Sequence, residues 1–89
     1  MISHRSEKFD KCFRRLPSII QRQAVSAYRD FKRDPNHPAL CFKPTKRNAA
    51  IYSVRVTLGW RALGTKDGNC IIWFWIGSHA EYMRLIAGL

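Results

Sequence analysis

The chain has 89 residues, enough for one domain around a single core. Lys and Arg total 16 against 6 acidic residues, a formal net charge of +10, while apolar residues make up 46% of the sequence. That apolar fraction argues against disorder, no apolar run approaches the ~20 residues of a membrane span, and the charge favours a polyanionic partner, nucleic acid first, ahead of an acidic protein or an anionic membrane surface.

The first half of the chain reads as helical. Phe9, Cys12, Phe13 and Leu16 fall at i, i+3, i+4, i+7, with Lys8, Lys11, Arg14 and Arg15 on the other side and Ser6 as N-cap. Pro17 cannot continue that helix but suits the first turn of a new one. Ile20, Ala24, Ala27, Tyr28 and Phe31 then repeat at helical spacing, so Leu16-Pro17 is the corner of a helical hairpin. The second helix should end near Arg33, because Pro35 pushes Asp34 out of the helical region.

After the connection Asp34-Pro-Asn-His-Pro38 the period changes. Leu40 to Lys43 is short and strand-like. From Ile51 the sequence alternates, with Tyr52, Val54, Val56 and Leu58 on one side and Ser53, Arg55 and Thr57 on the other. Gly59 is a turn residue and Trp60 to Leu63 the next strand. Lys66-Asp-Gly-Asn69 signals a hairpin centred on Asp-Gly as a type I′ turn. Cys70 to Ile76 is almost wholly apolar and reads as a central strand covered on both faces. Gly77 ends it, Ser78-His-Ala-Glu81 has the pattern of a capping box, and Tyr82, Leu85, Ile86 and Leu89 continue a short last helix. Helices followed by closely connected strands imply an α+β domain: an N-terminal helical hairpin packed on a curved antiparallel sheet of three to four strands, with a short C-terminal helix.

Cys12, Cys41 and Cys70 are odd in number and too widely spaced for a zinc motif. Reduced, buried thiols in a cytoplasmic protein are the expectation, and the polar N-terminus carries no secretory signal.

Candidate chemistry gathers at the end of the apolar strand. A three-residue loop centred on Leu58 would set Arg55 and Arg61 directly opposite each other. Like charges there are destabilising unless they share an anion such as a phosphate; the plain alternative is that both splay into water. His79 lies in the first turn of the last helix, three residues from Tyr82, so the two are neighbours. Glu81 is read as a cap and the apolar stripes as core. Arg, His and Tyr without a carboxylate pair, a Ser nucleophile or a metal set suit RNA cleavage by the RNA's own 2′-hydroxyl. The protein then only moves protons and stabilises phosphoryl charge, and no cofactor is needed.

The landmarks Phe13-Arg-Arg-Leu-Pro17, Asp34-Pro-Asn-His-Pro-Ala-Leu40, Tyr52-Ser-Val-Arg-Val56, Trp60-Arg-Ala-Leu63 and Trp73-Phe-Trp-Ile-Gly-Ser-His-Ala-Glu-Tyr82 run nearly the whole length of the chain. In this order they resemble the RelE/ParE superfamily of bacterial type II toxins. The resemblance implies a cognate antitoxin whose segment wraps the toxin, forming a hetero-oligomer that blocks the site. It implies one of two activities: ribosome-dependent cleavage of mRNA, or poisoning of DNA gyrase without nuclease activity. On the nuclease branch it points to Arg55, Arg61, His79 and Tyr82 as the catalytic group. Lys43, Lys46 and Arg47 become candidate RNA contacts, with mRNA and ribosomal RNA as partners. Met83 departs from the acidic residue that many relatives carry after the Tyr, and Met1 to His4 is a poor match to the family's early strand, which suggests one strand fewer. A basic RNA-binding module without toxicity is the third reading.

Overall fold

The computed structural model describes residues 1–88; Leu89, the last member of the apolar stripe read above, lies outside them. The elements are β1 (Ile2–Arg5), α1 (Glu7–Arg14), α2 (Ser18–Arg33), a 3-10 turn (Pro38–Leu40), β2 (Lys43–Pro44), β3 (Ile51–Thr57), β4 (Trp60–Asp67), β5 (Cys70–Ser78) and α3 (His79–Ala87). Among them no helix is long and apolar enough to cross a membrane.

The helical hairpin forms as its capping and proline signals require. The Ser6 hydroxyl accepts from the Phe9 N–H at 3.1 Å to open α1. At the corner, the Leu16 N–H donates to the Phe13 carbonyl, and the Gln21 side chain donates to that same oxygen at 3.0 Å. Pro17 takes the N-cap position and α2 begins at Ser18, one residue later than its ring alone suggests. The Asp34 N–H closes α2 on the Asp30 carbonyl, with Asp34 already extended before Pro35.

The sheet has five strands in the order β1-β5-β4-β3-β2, and it is mixed. This corrects the expectation of an antiparallel sheet of three to four strands. Met1 to His4 has little strand character in sequence, yet Ile2–Arg5 pairs in parallel with Cys70–Trp73. What holds β1 is backbone hydrogen bonding to an already buried strand, together with a bond from the Trp73 indole to the Ser3 hydroxyl at 3.0 Å. No hydrophobic period is needed for that. At the other edge, Leu40 belongs to the 3-10 turn, and the strand is only Lys43–Pro44, with the Thr45 N–H still donating to the Ile51 carbonyl at 2.8 Å. The β4–β5 turn is centred one residue later than expected, on Gly68 and Asn69, since Asp67 pairs with Cys70. Gly68 sits at φ +58 while Asn69 is not left-handed, which fits a type II′ turn rather than I′. The thiols also differ from expectation. All three are free, but Cys12 and Cys70 are half-buried and Cys41 is exposed. Cys41 ends the 3-10 turn in the left-handed conformation at φ 47, with its thiol 3.5 Å from the Pro38 carbonyl.

Helices α1 and α2 cover one face of the sheet. There Phe31 packs edge-on against Trp73 and Phe42, with ring centroids 5.3 and 5.0 Å apart, and Phe42 packs on Tyr52 at 4.9 Å. Val54, Ala62, Ile71 and Ile76 complete this core.

The opposite face owes its content to a bulge. Gly64 pairs with Trp73 and Leu63 with Trp75, so Phe74 is an extra residue in β5. An extra residue inverts the phase of a strand. Trp73 therefore enters the helix-covered core, while Trp75 is buried on the other face beside Leu63 and Ser53. A Cβ at Gly77 would overlap the Trp75 ring, so the indole lies over the glycine.

Two expectations follow. Phe31→Ala removes the ring that joins α2 to Trp73 and should cost about 3–5 kcal/mol in urea unfolding followed by tryptophan fluorescence, with Phe31→Leu costing less. Gly77→Ala should cost about 1–3 kcal/mol through overlap with the indole, and clearly less in a Trp75→Leu background.

Candidate functional site

The face opposite the helical hairpin carries the two candidate arginines. Arg55 lies directly across from Arg61, and Arg61 across from Gly77. The arginine pairing expected from the sequence is present, but by another route. The β3–β4 connection is a two-residue turn, Leu58-Gly59, with Thr57 facing Trp60, and a register shift at Val56 restores Arg55 to Arg61. Since residue 77 has no side chain, the Trp75 ring fills the space beside Arg61 on this face.

Arg61 is anchored. Its Nη1 group donates to the carbonyls of Thr57, Leu58 and Trp60 at 2.8, 3.1 and 3.0 Å. The guanidinium is thus tied to its own hairpin turn, with its other N–H groups left to act elsewhere. Its pKa is lowered from the ordinary arginine value, first by desolvation and then by the neighbouring charge of Arg55. Tyr82 and Cys41 are close enough to act in the opposite direction. Arg55 lines a cleft of about 180 Å³ with Gln23, Ser26 and Asp30 of α2. That cleft lies at the edge of β3, where β2 pairs only with Tyr52 and Ser53.

Helix α3 is fixed to the same turn. The His79 N–H donates to the Gly59 carbonyl at 2.8 Å. The capping box forms: the Ser78 hydroxyl accepts from the Glu81 N–H at 3.2 Å, and the Glu81 carboxylate accepts from the Ser78 N–H and hydroxyl at 3.4 and 3.0 Å. Glu81 is therefore committed to the cap. His79 and Tyr82 are neighbours, with ring centroids 5.8 Å apart; His79 is exposed and Tyr82 half-buried.

The structure thus brings Arg55, Arg61 and Tyr82 together, with His79 beside Tyr82. Lys43 pairs with Ser53 and so shares the arginine face, one row further from the turn. Lys46 and Arg47 do not join the group. They occupy the loop before Ile51, at the other end of β3 from Arg55, a distance of roughly 13 Å along the strand. Cys41 was missed as a neighbour of Arg61, because its place depends on the left-handed end of the 3-10 turn, for which the sequence offers no glycine signal. Among the described residues no group of three or more His, Cys, Asp or Glu side chains is placed to hold a metal ion.

The positive charge is almost unneutralised. Among the described residues a single ion pair forms, Arg5 with Asp10 at 3.6 Å, and it is exposed. Exposed pairs of this kind contribute little, so the field of the remaining cations is available to a partner.

Three solved structures show the fold. The toxin–antitoxin complex RelBE2 from Mycobacterium tuberculosis matches with a TM-score of 0.70 at 22% identity, over 89% of this chain and 91% of that one. The RelB–RelE antitoxin–toxin complex from Methanococcus jannaschii matches at 0.72 with 15% identity, over 92% and 96%. Isolated RelE toxin from E. coli matches at 0.64 with 14% identity, over 99% and 98%. No curated protein matches significantly in sequence. The family model for the ParE-like toxin domain matches residues 18–84, which is most of the chain and includes α2, the sheet from β2 to β5 and the Arg55–Tyr82 cluster. The chain belongs to the family of ParE-like toxin domains.

Proposed function

We propose that this toxin domain is an endoribonuclease that cuts mRNA on the ribosome, in the cytoplasm, and is held inactive by a cognate antitoxin. The observation that carries this reading is the placement of Arg55 directly opposite Arg61, next to Tyr82 and His79. Two like charges across a strand pair repel unless they share an anion, and a phosphodiester is the anion that a +10 chain meets on a ribosome.

The reaction needs three things from the protein. The 2′-oxygen of one nucleotide attacks the adjacent phosphorus, and the bond to the 5′-oxygen of the next nucleotide breaks. A proton leaves the 2′-hydroxyl and another reaches the 5′-oxygen; His79 serves one of these transfers. Arg55 and the free N–H groups of Arg61 hold the phosphoryl oxygens as charge builds on them. Tyr82 stacks on a base or assists the second transfer. Lys43 adds a phosphate contact further along the same face, and Lys46 and Arg47 bind RNA beyond the reacting phosphate.

The antitoxin reading has its own support. Between the helical hairpin and the sheet lies a groove of about 250 Å³ lined by Phe9, Phe13, Ala24, Tyr28 and Val56, with Arg5 at its edge. An acidic, amphipathic antitoxin segment suits both the groove and the net charge.

A second reading keeps its place because the matching family is described as ParE-like: a toxin that inhibits gyrase and cuts no RNA. In that case His79 and Tyr82 are structural.

Induction of the chain in bacteria, followed by primer extension on a cellular mRNA, separates the readings. Under the nuclease reading, codon-phased cuts appear and recur in cleavage reactions reconstituted with ribosomes. His79→Ala and Arg55→Ala should reduce cutting about 10²-fold or more with little change in Tm. Arg61→Ala should lose activity and also lower the Tm, because it releases three turn carbonyls. Growth arrest with intact mRNA, unchanged by His79→Ala, would sink the nuclease reading in favour of gyrase.

A further inference from the structure

The tip of the β3–β4 hairpin presents a leucine that the fold does not use. Leu58 is 77% exposed, more than any other large apolar side chain among the described residues. The turn makes no demand for it. Neither Leu58 nor Gly59 has a positive φ, so a polar residue would fit the first turn position equally well. Yet the turn is unusually well tied down. Its carbonyls at Thr57, Leu58 and Trp60 receive the Arg61 guanidinium, the Leu58 N–H donates to the Thr57 hydroxyl at 2.7 Å, and the Gly59 carbonyl receives the His79 N–H. An exposed apolar side chain thus sits on a rigid turn to which both the Arg61 guanidinium and the first residue of α3 are tied.

From this placement we infer that Leu58 is a wedge for single-stranded RNA, a positioning residue that enters between two neighbouring bases while Arg55 and Arg61 hold the phosphate joining their nucleotides. Apolar side chains inserted into base steps unstack them, and the backbone bends at that step. Stacked RNA holds its 2′-oxygen away from the line of the bond that must break, so unstacking at the held phosphate lets the 2′-oxygen come into line. The inference rests on the nuclease reading for its purpose, but unstacking is measurable without cleavage.

The probe is a short single-stranded RNA with one 2-aminopurine and every 2′-hydroxyl methylated, so that it binds without being cut. Wild-type protein should raise the 2-aminopurine fluorescence on binding. Leu58→Ala should bind with less than about a tenfold loss of affinity, because phosphate contacts dominate binding, and should leave the fluorescence low. Leu58→Met should restore the signal. Ile19→Ala, at an exposed apolar residue of α2 outside the site, should unstack the base as wild type does. On ribosome-bound mRNA, Leu58→Ala should cut about 10²-fold more slowly. A wild-type protein that binds without raising the fluorescence overturns the wedge. So does a Leu58→Ala protein that unstacks like wild type, and a loss confined to antitoxin capture would then assign Leu58 to a protein interface. Unstacking that depends on Leu58, with no cleavage by wild type, supports the wedge and removes the nuclease reading instead.

Discussion

One extra residue in the central strand sets the arrangement of both faces of the sheet. Without Phe74 as a bulge, β5 would keep the phase that pairs Gly64 with Trp73, and Arg61 would face Ile76 instead of Gly77. A branched apolar side chain would then sit among the arginines, and Trp75 would compete with Trp73 for the core under the helices. With the bulge, each tryptophan has a face of its own, and the residue opposite Arg61 has no side chain. The arginine face is open because of a packing device in the core.

Arg61 joins structure to electrostatics. A guanidinium that gives one nitrogen to three carbonyls is fixed in direction before any ligand arrives. Burial and the facing Arg55 make its charge costly in the free protein. An anion held between the two arginines would relieve that repulsion and draw part of its binding energy from a cost already built into the fold. The α3 capping box contributes by the same logic: Ser78 and Glu81 secure the first turn, and His79 and Tyr82 inherit its position.

What the sequence made legible was what local physics decides. Pro17 and Pro35 bound the helices, Ser6 and Ser78 cap as their side chains allow, and the alternation through β3 sets Arg55 on the face away from the hairpin. The opposition of Arg55 and Arg61 was correct although the loop length was not, because the bulge at Val56 compensates for the shorter turn. Hidden features depended on distant partners or on the absence of a pattern. An unbroken apolar run has no period for a bulge to break, so Phe74 gave no sign. β1 has no apolar stripe and is held by backbone bonds to residues at the far end of the chain. Cys41 was read as buried from residue type alone, while its exposure follows from an uncommon backbone conformation.

The pairing of Ile2 with Cys70 has a consequence for synthesis. During synthesis β1 stays unpaired until β5 has been made, and contacts so far apart in sequence form late. The arginine face is not assembled earlier either, since Arg61, Gly77 and α3 all belong to the last third of the chain. The sheet edge at β1 and the arginine face are therefore completed in the same late stage of folding.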